Sequence, residues 1–205
     1  MLNGQSPKPI LFCDFDGVLC FDKYWRSLLP DEFEKVQELL FRGDQTIVNE
    51  WMRGKRTSEE VSQLIAEKTG ISFDYLWNIF VQDCKTMHVS IDLLEKLDSL
   101  REKYIVILIT GNMDSFGRFT KPALNLNNYF DHISNSFDEG LLKTDNKGEV
   151  FLRYCDKYGV PIEQCILFDD SKSVHKVFSE LFGIAHLVST ERNLESHLEH
   201  FVIKS

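Results

Sequence analysis

No stretch of this chain is long and apolar enough to cross a bilayer; the longest apolar run, Tyr104 to Ile109, has the length of a buried strand. Met1 to Pro9 lacks the apolar core of a secretory signal, so neither a membrane partner nor export is expected. Basic charge is scarce as well. Lys and Arg number 23 against 32 Asp and Glu, a formal net charge of -9, and the one basic cluster, Arg53 to Arg56, is too short for a phosphate-backbone footprint. Nucleic acid is therefore excluded as a partner, and the cluster reads as a solvated helix end. No C-x-x-C pair occurs among Cys13, Cys20, Cys84, Cys155 and Cys165, and their number is odd, which favours reduced thiols and a cytoplasmic location. Internal repeats and low-complexity tracts are absent too. What remains, 43% hydrophobic and 27% charged over 205 residues, suffices for one core carrying one insertion.

The most informative feature present is Cys13-Asp14-Phe15-Asp16-Gly17-Val18, which follows the apolar run Ile10 to Cys13. That run, bounded by Pro9 and Gly17, reads as a buried strand emptying into a turn. Side chains two apart on an extended chain point the same way, so Asp14 and Asp16 can face one cavity at the strand's C-terminal edge. Two carboxylates that close require a cation or a proton.

From about Phe21 to Val89 apolar residues recur at helical spacing: Val36, Leu39 and Leu40, then Val48, Trp51 and Met52, then Val61, Leu64 and Ile65, then Leu76, Ile79 and Phe80. The block is predicted to be all helix, with a capping box at Thr57-Ser58-Glu59-Glu60 starting a helix near Ser58 that runs to Thr69 and stops at Gly70. From Ser90 amphipathic helices alternate with short apolar strands. Helices are predicted over Ile91 to Glu102, Phe116 to Leu124, Glu149 to Tyr158, Val174 to Leu181 and Leu194 to His200. Strands are predicted over Ile105 to Ile109, Ile133 to Ser136, Cys165 to Phe168 and Ile184 to Val188. This is an α/β pattern with a doubly wound, Rossmann-like parallel sheet: residues 1–20 and 90–205 form the core, and residues 21–89 are inserted after its first strand.

In a parallel sheet the C-terminal strand edges share one face. Asp14, Asp16, Thr110-Gly111-Asn112, Lys143 and Asp169-Asp170 can therefore converge, giving hard oxygens suited to Mg²⁺ and a hydroxyl, an ammonium and backbone amides suited to phosphate oxygens. At these positions the chain resembles the haloacid dehalogenase (HAD) superfamily, mostly Mg²⁺-dependent phosphatases. Asp14-Phe15-Asp16-Gly17-Val18 looks like its first motif, Thr110 its second, Lys143 its third and Asp169-Asp170 its fourth. Residues 21–89 look like the helical cap of the subfamily that includes β-phosphoglucomutase and many small-molecule phosphatases.

The resemblance implies that Asp14 is the nucleophile, passing through an aspartyl-phosphate, and Asp16 the acid/base, whose backbone carbonyl also ligates the metal. It implies that Asp14, Asp16, Asp170 and Asp169 surround Mg²⁺, while Thr110, Gly111, Asn112 and Lys143 hold the phosphate of a small phosphate ester. A cap of this kind closes over substrate, with hinges expected near Cys20 to Asp22 and His88 to Ser90. Two positions depart from the family's pattern: Thr144 follows Lys143 where proline is common, and Val174 stands near where a polar residue often supports the metal ligands. The presence of Asp16 argues against dehalogenation, because dehalogenases of the superfamily lack that aspartate.

A sugar phosphomutase and a non-catalytic phosphate-binding protein are the competing readings. A phosphorelay receiver gathers similar groups, but its acidic pair comes first in the chain and its length leaves no room for the insertion. His197 and His200 share a helix face without an HExxH pattern and are set aside as a metal site. Trp25, Trp51 and Trp77 read as core of the insertion, while Phe21, Asp22 and Trp25 are the residues there most suited to touch substrate.

Overall fold

Five short apolar strands build one sheet: β1 (Ile10–Cys13), β2 (Ile105–Thr110), β3 (His132–Asn135), β4 (Ile166–Asp169) and β5 (Ile184–Leu187). The computed structural model describes residues 7–202, with side chains through 199; Met1 to Ser6 and the His200 side chain read above lie outside the described residues. All strands are parallel, in the order β3-β2-β1-β4-β5. Every residue of β1 and β4 is buried, as unbroken apolar strands require when both faces of a sheet are covered. Ile10 and Phe12 join Ile107, Ile109 and Leu167 on one face, and Leu11 and Cys13 join Val106, Leu108 and Phe168 on the other. The chain moves outward from β1 through β2 to β3 and then crosses to the far side of β1 for β4 and β5. The C-terminal end of β1 is thus a topological switch point, where open α/β sheets leave a crevice for ligands.

Between β1 and β2 lie α1 (Pro30–Gln37), α2 (Thr46–Met52), α3 (Ser58–Thr69) and α4 (Phe73–Lys85), with a π-helical turn at Glu38–Arg42. The predicted start and stop of α3 are present. Thr57 accepts from the Glu60 N–H, the Glu60 side chain reaches back to the Thr57 N–H, and Gly70 adopts φ 75°. After this insertion α5 (Ile91–Leu100) leads into β2; α6 (Lys121–Ala123) and α7 (Ser136–Glu139) flank β3; α8 (Glu149–Tyr158), α9 (Lys172–Glu180) and α10 (Leu194–Val202) complete the layers.

Two expectations are corrected. Residues 21–29 form turns rather than helix, with Trp25 at φ 58° so that its ring can enter the insertion's core. The helix expected over Phe116 to Leu124 is a wide π-helical turn, Phe116–Thr120, followed by α6. Pro122 there has no N–H to return to the carbonyl four residues back, which an α-helix would need.

The inserted helices share one apolar cluster with the sheet. Trp25 stacks on Phe80 at 4.4 Å, Trp51 lies beside both, and Phe15, Phe116 and Phe168 continue the same cluster down to the strands.

Candidate active site

The site begins where β1 ends. The Asp14 N–H still donates to the Phe168 carbonyl at 3.0 Å, and the chain then curls, with the N–H groups of Leu19 and Cys20 both donating to the Phe15 carbonyl at 2.9 Å. Gly17, at φ 75°, donates to the Cys20 carbonyl at 2.8 Å. No other residue suits that corner, since a Cβ there would stand 2.2 Å from Asp170 Oδ2. The curl presents Asp14 and Asp16 to the crevice, with Asp14 anchored by the Phe15 N–H at 2.8 Å.

Lys143 reaches into the same crevice. Its Nζ lies 2.6 Å from Asp14 Oδ2 and 2.6 Å from Asp169 Oδ2, and all three side chains are buried. The other Asp169 oxygen accepts the Ser171 N–H at 2.8 Å. Oxygens of Asp14, Asp169 and Asp170 all lie within 4.8 Å of one another. On the opposite side, Asn112 donates through Nδ2 to Asp16 Oδ2 at 2.7 Å and accepts from the Tyr24 hydroxyl at 2.6 Å. Its own N–H is held by Ser136 Oγ at 3.0 Å.

One buried ammonium stands among four carboxyl groups, and their crowding holds protons on them. Burial, against the pull of Lys143 and with the push of Asp169, raises the Asp14 carboxyl above the usual carboxylate range. Burial likewise drives Asp16 up to about 7, opposed by Lys143 and Lys23. Asp170 is raised by burial and by Asp169. Burial alone would lower Lys143, but Asp14 and Asp169 overcome it and hold the ammonium charged. This chemistry asks for a further cation, and three carboxylates at this spacing offer the oxygen set that a hard divalent ion takes.

A family model for haloacid dehalogenase-like hydrolases matches residues 9–173. The chain belongs to that family. No curated protein matches it. Among solved structures, a HAD family enzyme of Bacteroides thetaiotaomicron in a magnesium complex is similar at 22% identity and TM-score 0.72, over 95% of this chain and 99% of that one. The same enzyme with magnesium and inorganic phosphate gives 23% and 0.69, over 93% and 98%. A predicted HAD-like family hydrolase from Porphyromonas gingivalis gives 15% and 0.68, over 96% and 98%. At these identities the likeness carries the fold.

In this HAD-like hydrolase all eight residues singled out from the sequence stand at the C-terminal edge of the sheet or in the loops beside it. Asp14, Lys143 and Asp169 are in direct contact, Asp170 adjoins them, and Asp16 pairs with Asn112. Thr110 is buried, with Oγ1 3.5 Å from Asn112 Nδ2, and Gly111 lines the neighbouring cavity. Val174 is buried among the core residues beneath the sheet; Asp169 is oriented instead by the Ser171 N–H and Lys143. Trp25 does not face substrate, since it is fully buried and donates through Nε1 to the Leu76 carbonyl.

A cavity of about 290 Å³ opens beside Asp16, Gly17 and Gly111 and is roofed by the inserted helices, with Phe21 and Asp22 in its wall. Sequence reasoning missed Tyr24, Ser136 and Lys23. Only Lys23 had a signal, a cation nine residues after the first carboxylate. Asp114 was missed as well, although the Asp114 and Arg118 spacing on one helical turn could have flagged it.

Proposed function

We propose that this HAD-like hydrolase is a Mg²⁺-dependent phosphatase of small phosphate monoesters, with residues 21–89 acting as its cap. The observation that carries the reading is the convergence of the Asp14, Asp169 and Asp170 oxygens within 4.8 Å, with Lys143 wedged between two of them and a second carboxyl, Asp16, beside the first. Support comes also from the magnesium and phosphate complex of the B. thetaiotaomicron enzyme.

Asp14, Asp169, Asp170 and the Asp16 backbone carbonyl would hold Mg²⁺, whose charge offsets the repulsion between a carboxylate and a phosphate dianion when it is bound. Asp14 then attacks phosphorus while its position is held by the Phe15 N–H and Lys143. Asp16, whose carboxyl is pushed up to about 7 and so exchanges its proton near neutral pH, gives that proton to the leaving alkoxide. Once ionised, Asp16 takes a proton from the water that cleaves the aspartyl-phosphate. Asn112 keeps the acid aimed throughout, through the bond from its Nδ2 to Asp16 Oδ2. Lys143 and the Thr110 hydroxyl gather the phosphoryl oxygens as charge builds on them.

The test is hydrolysis of p-nitrophenyl phosphate with and without Mg²⁺, comparing the parent with Asp14→Asn at matched concentrations of folded protein. Metal-dependent release in the parent that vanishes in the variant is the expected result. Release that survives the substitution would refute Asp14 as the nucleophile.

A further inference from the structure

Asp16 Oδ2 accepts from Asn112 Nδ2 at 2.7 Å, which leaves the other carboxyl oxygen, Oδ1, to carry a proton toward a leaving group. That arrangement needs the Asn112 amide to present its nitrogen. Turned over, the amide would present its oxygen, and a protonated Asp16 would donate to Asn112 instead of to an ester. The Asn112 backbone is pinned by the Ser136 hydroxyl, which pairs with both its N–H and its carbonyl at 3.0 Å, so the remaining freedom is rotation of the side chain. Two donors on the amide oxygen oppose that rotation. The Met113 N–H, at 3.0 Å, is local, whereas the Tyr24 hydroxyl, at 2.6 Å, comes from the insertion.

Tyr24 is itself held. Its ring stacks against Phe41 at 6.5 Å and leans on Phe80 at 5.8 Å, and its carbonyl accepts from Gln37 Nε2 at 3.4 Å. Burial, with the push of Asp16, raises the phenol well above its ordinary value, so the hydroxyl remains a donor. Resting on the phosphatase reading, we propose that Tyr24 is a positioning residue for the reaction: its hydroxyl holds the Asn112 amide so that Asp16 offers its proton to the leaving group. The contribution grows with the basicity of that group. A badly aimed acid costs most when the departing oxygen needs the proton and least when it leaves as a stable anion.

The experiment compares Tyr24→Phe with the parent on phenyl phosphate and p-nitrophenyl phosphate in Mg²⁺, two aryl esters whose leaving groups differ in basicity more than in bulk. Phenylalanine keeps the ring, and the Met113 N–H still satisfies the amide oxygen, so the fold is retained. The readout is kcat/KM, which includes departure of the leaving group; hydrolysis of the aspartyl-phosphate comes later and is common to both esters. Phenyl phosphate is expected to lose about tenfold more than p-nitrophenyl phosphate, the worth of one hydrogen bond. A role in packing alone lowers both by one factor. Equal losses, no loss, or a larger loss for p-nitrophenyl phosphate therefore overturns the proposal while leaving the phosphatase reading intact. If the parent hydrolyses neither ester the phosphatase reading falls, and hydrogen exchange of the Asn112 side-chain amide, followed by NMR, decides the positioning: faster exchange in Tyr24→Phe upholds it and unchanged exchange overturns it.

Discussion

Replacing Asp114 by alanine is expected to loosen the inserted helices from the core. Its Oδ1 accepts three bonds from the insertion: the Trp51 Nε1–H at 2.9 Å, the Ser58 N–H at 3.1 Å and the Ser58 hydroxyl at 2.5 Å. Its Oδ2 receives Arg118 at 2.7 Å. The Ser58 N–H belongs to the first turn of α3, where no helix carbonyl can reach it, so Asp114 supplies its acceptor from the core and adds a third carboxylate to Glu59 and Glu60 at that N-terminus. Alanine orphans three donors on two fully buried residues, whereas Arg118 keeps Glu59 and sits partly in solvent. A buried donor left unpaired costs ~1–3 kcal/mol, and water entering the space vacated by the carboxylate offsets part of it, so a net loss of about 3–5 kcal/mol is expected. At ~2–4 °C per kcal/mol for a chain of this length, Tm should fall by about 10 °C. Asn at this position keeps an oxygen where Oδ1 stands and turns an amide toward Arg118, so about 1–2 kcal/mol is expected. The assay is urea unfolding at pH 7 with thermal melts alongside. A loss below about 1 kcal/mol for alanine, or equal losses for alanine and asparagine, would refute the geometric argument.

Two further outcomes are expected. Gly17→Ala forces a Cβ to 2.2 Å from Asp170 Oδ2, so the Asp170 carboxylate must swing away from the cluster; Mg²⁺ affinity should fall at least about tenfold by titration calorimetry, with only ~1–2 kcal/mol lost in folding from the strained φ. In EDTA, Asp16 favours the folded state in its protonated form, because its carboxyl is raised from 3.8 to about 7. That contribution is complete below pH 3.8 and is lost as pH rises through 7. The urea stability of the parent relative to Asp16→Asn, which cannot titrate, should therefore decline from pH 5 to pH 8 by up to a few kcal/mol, and millimolar Mg²⁺ should reverse the decline. A difference that stays flat or grows across that range would contradict the raised carboxyl.

What was legible in the sequence was what local pattern and spacing encode. The apolar run before Asp14 marked β1, the Thr57 and Glu60 pair marked the start of α3, and carboxylates, a threonine and a lysine placed at or after strand ends told which groups a parallel sheet would gather. Those signals are periodic or positional, so one chain suffices to read them. The tertiary structure alone decided that Lys143 bridges Asp14 and Asp169, that Asn112 aims Asp16 under the grip of Tyr24, and that Asp114 caps a helix 56 residues earlier in the chain. It also decided which side chains meet around the cavity. Phe41, Met52 and Met113 come from separate segments and each by itself reads as ordinary packing; of the apolar residues in that wall, Phe21 alone was marked in the sequence as suited to touch substrate. Their meeting depends on how the inserted helices dock, which is set by many weak contacts across the whole molecule rather than by any local run of residues.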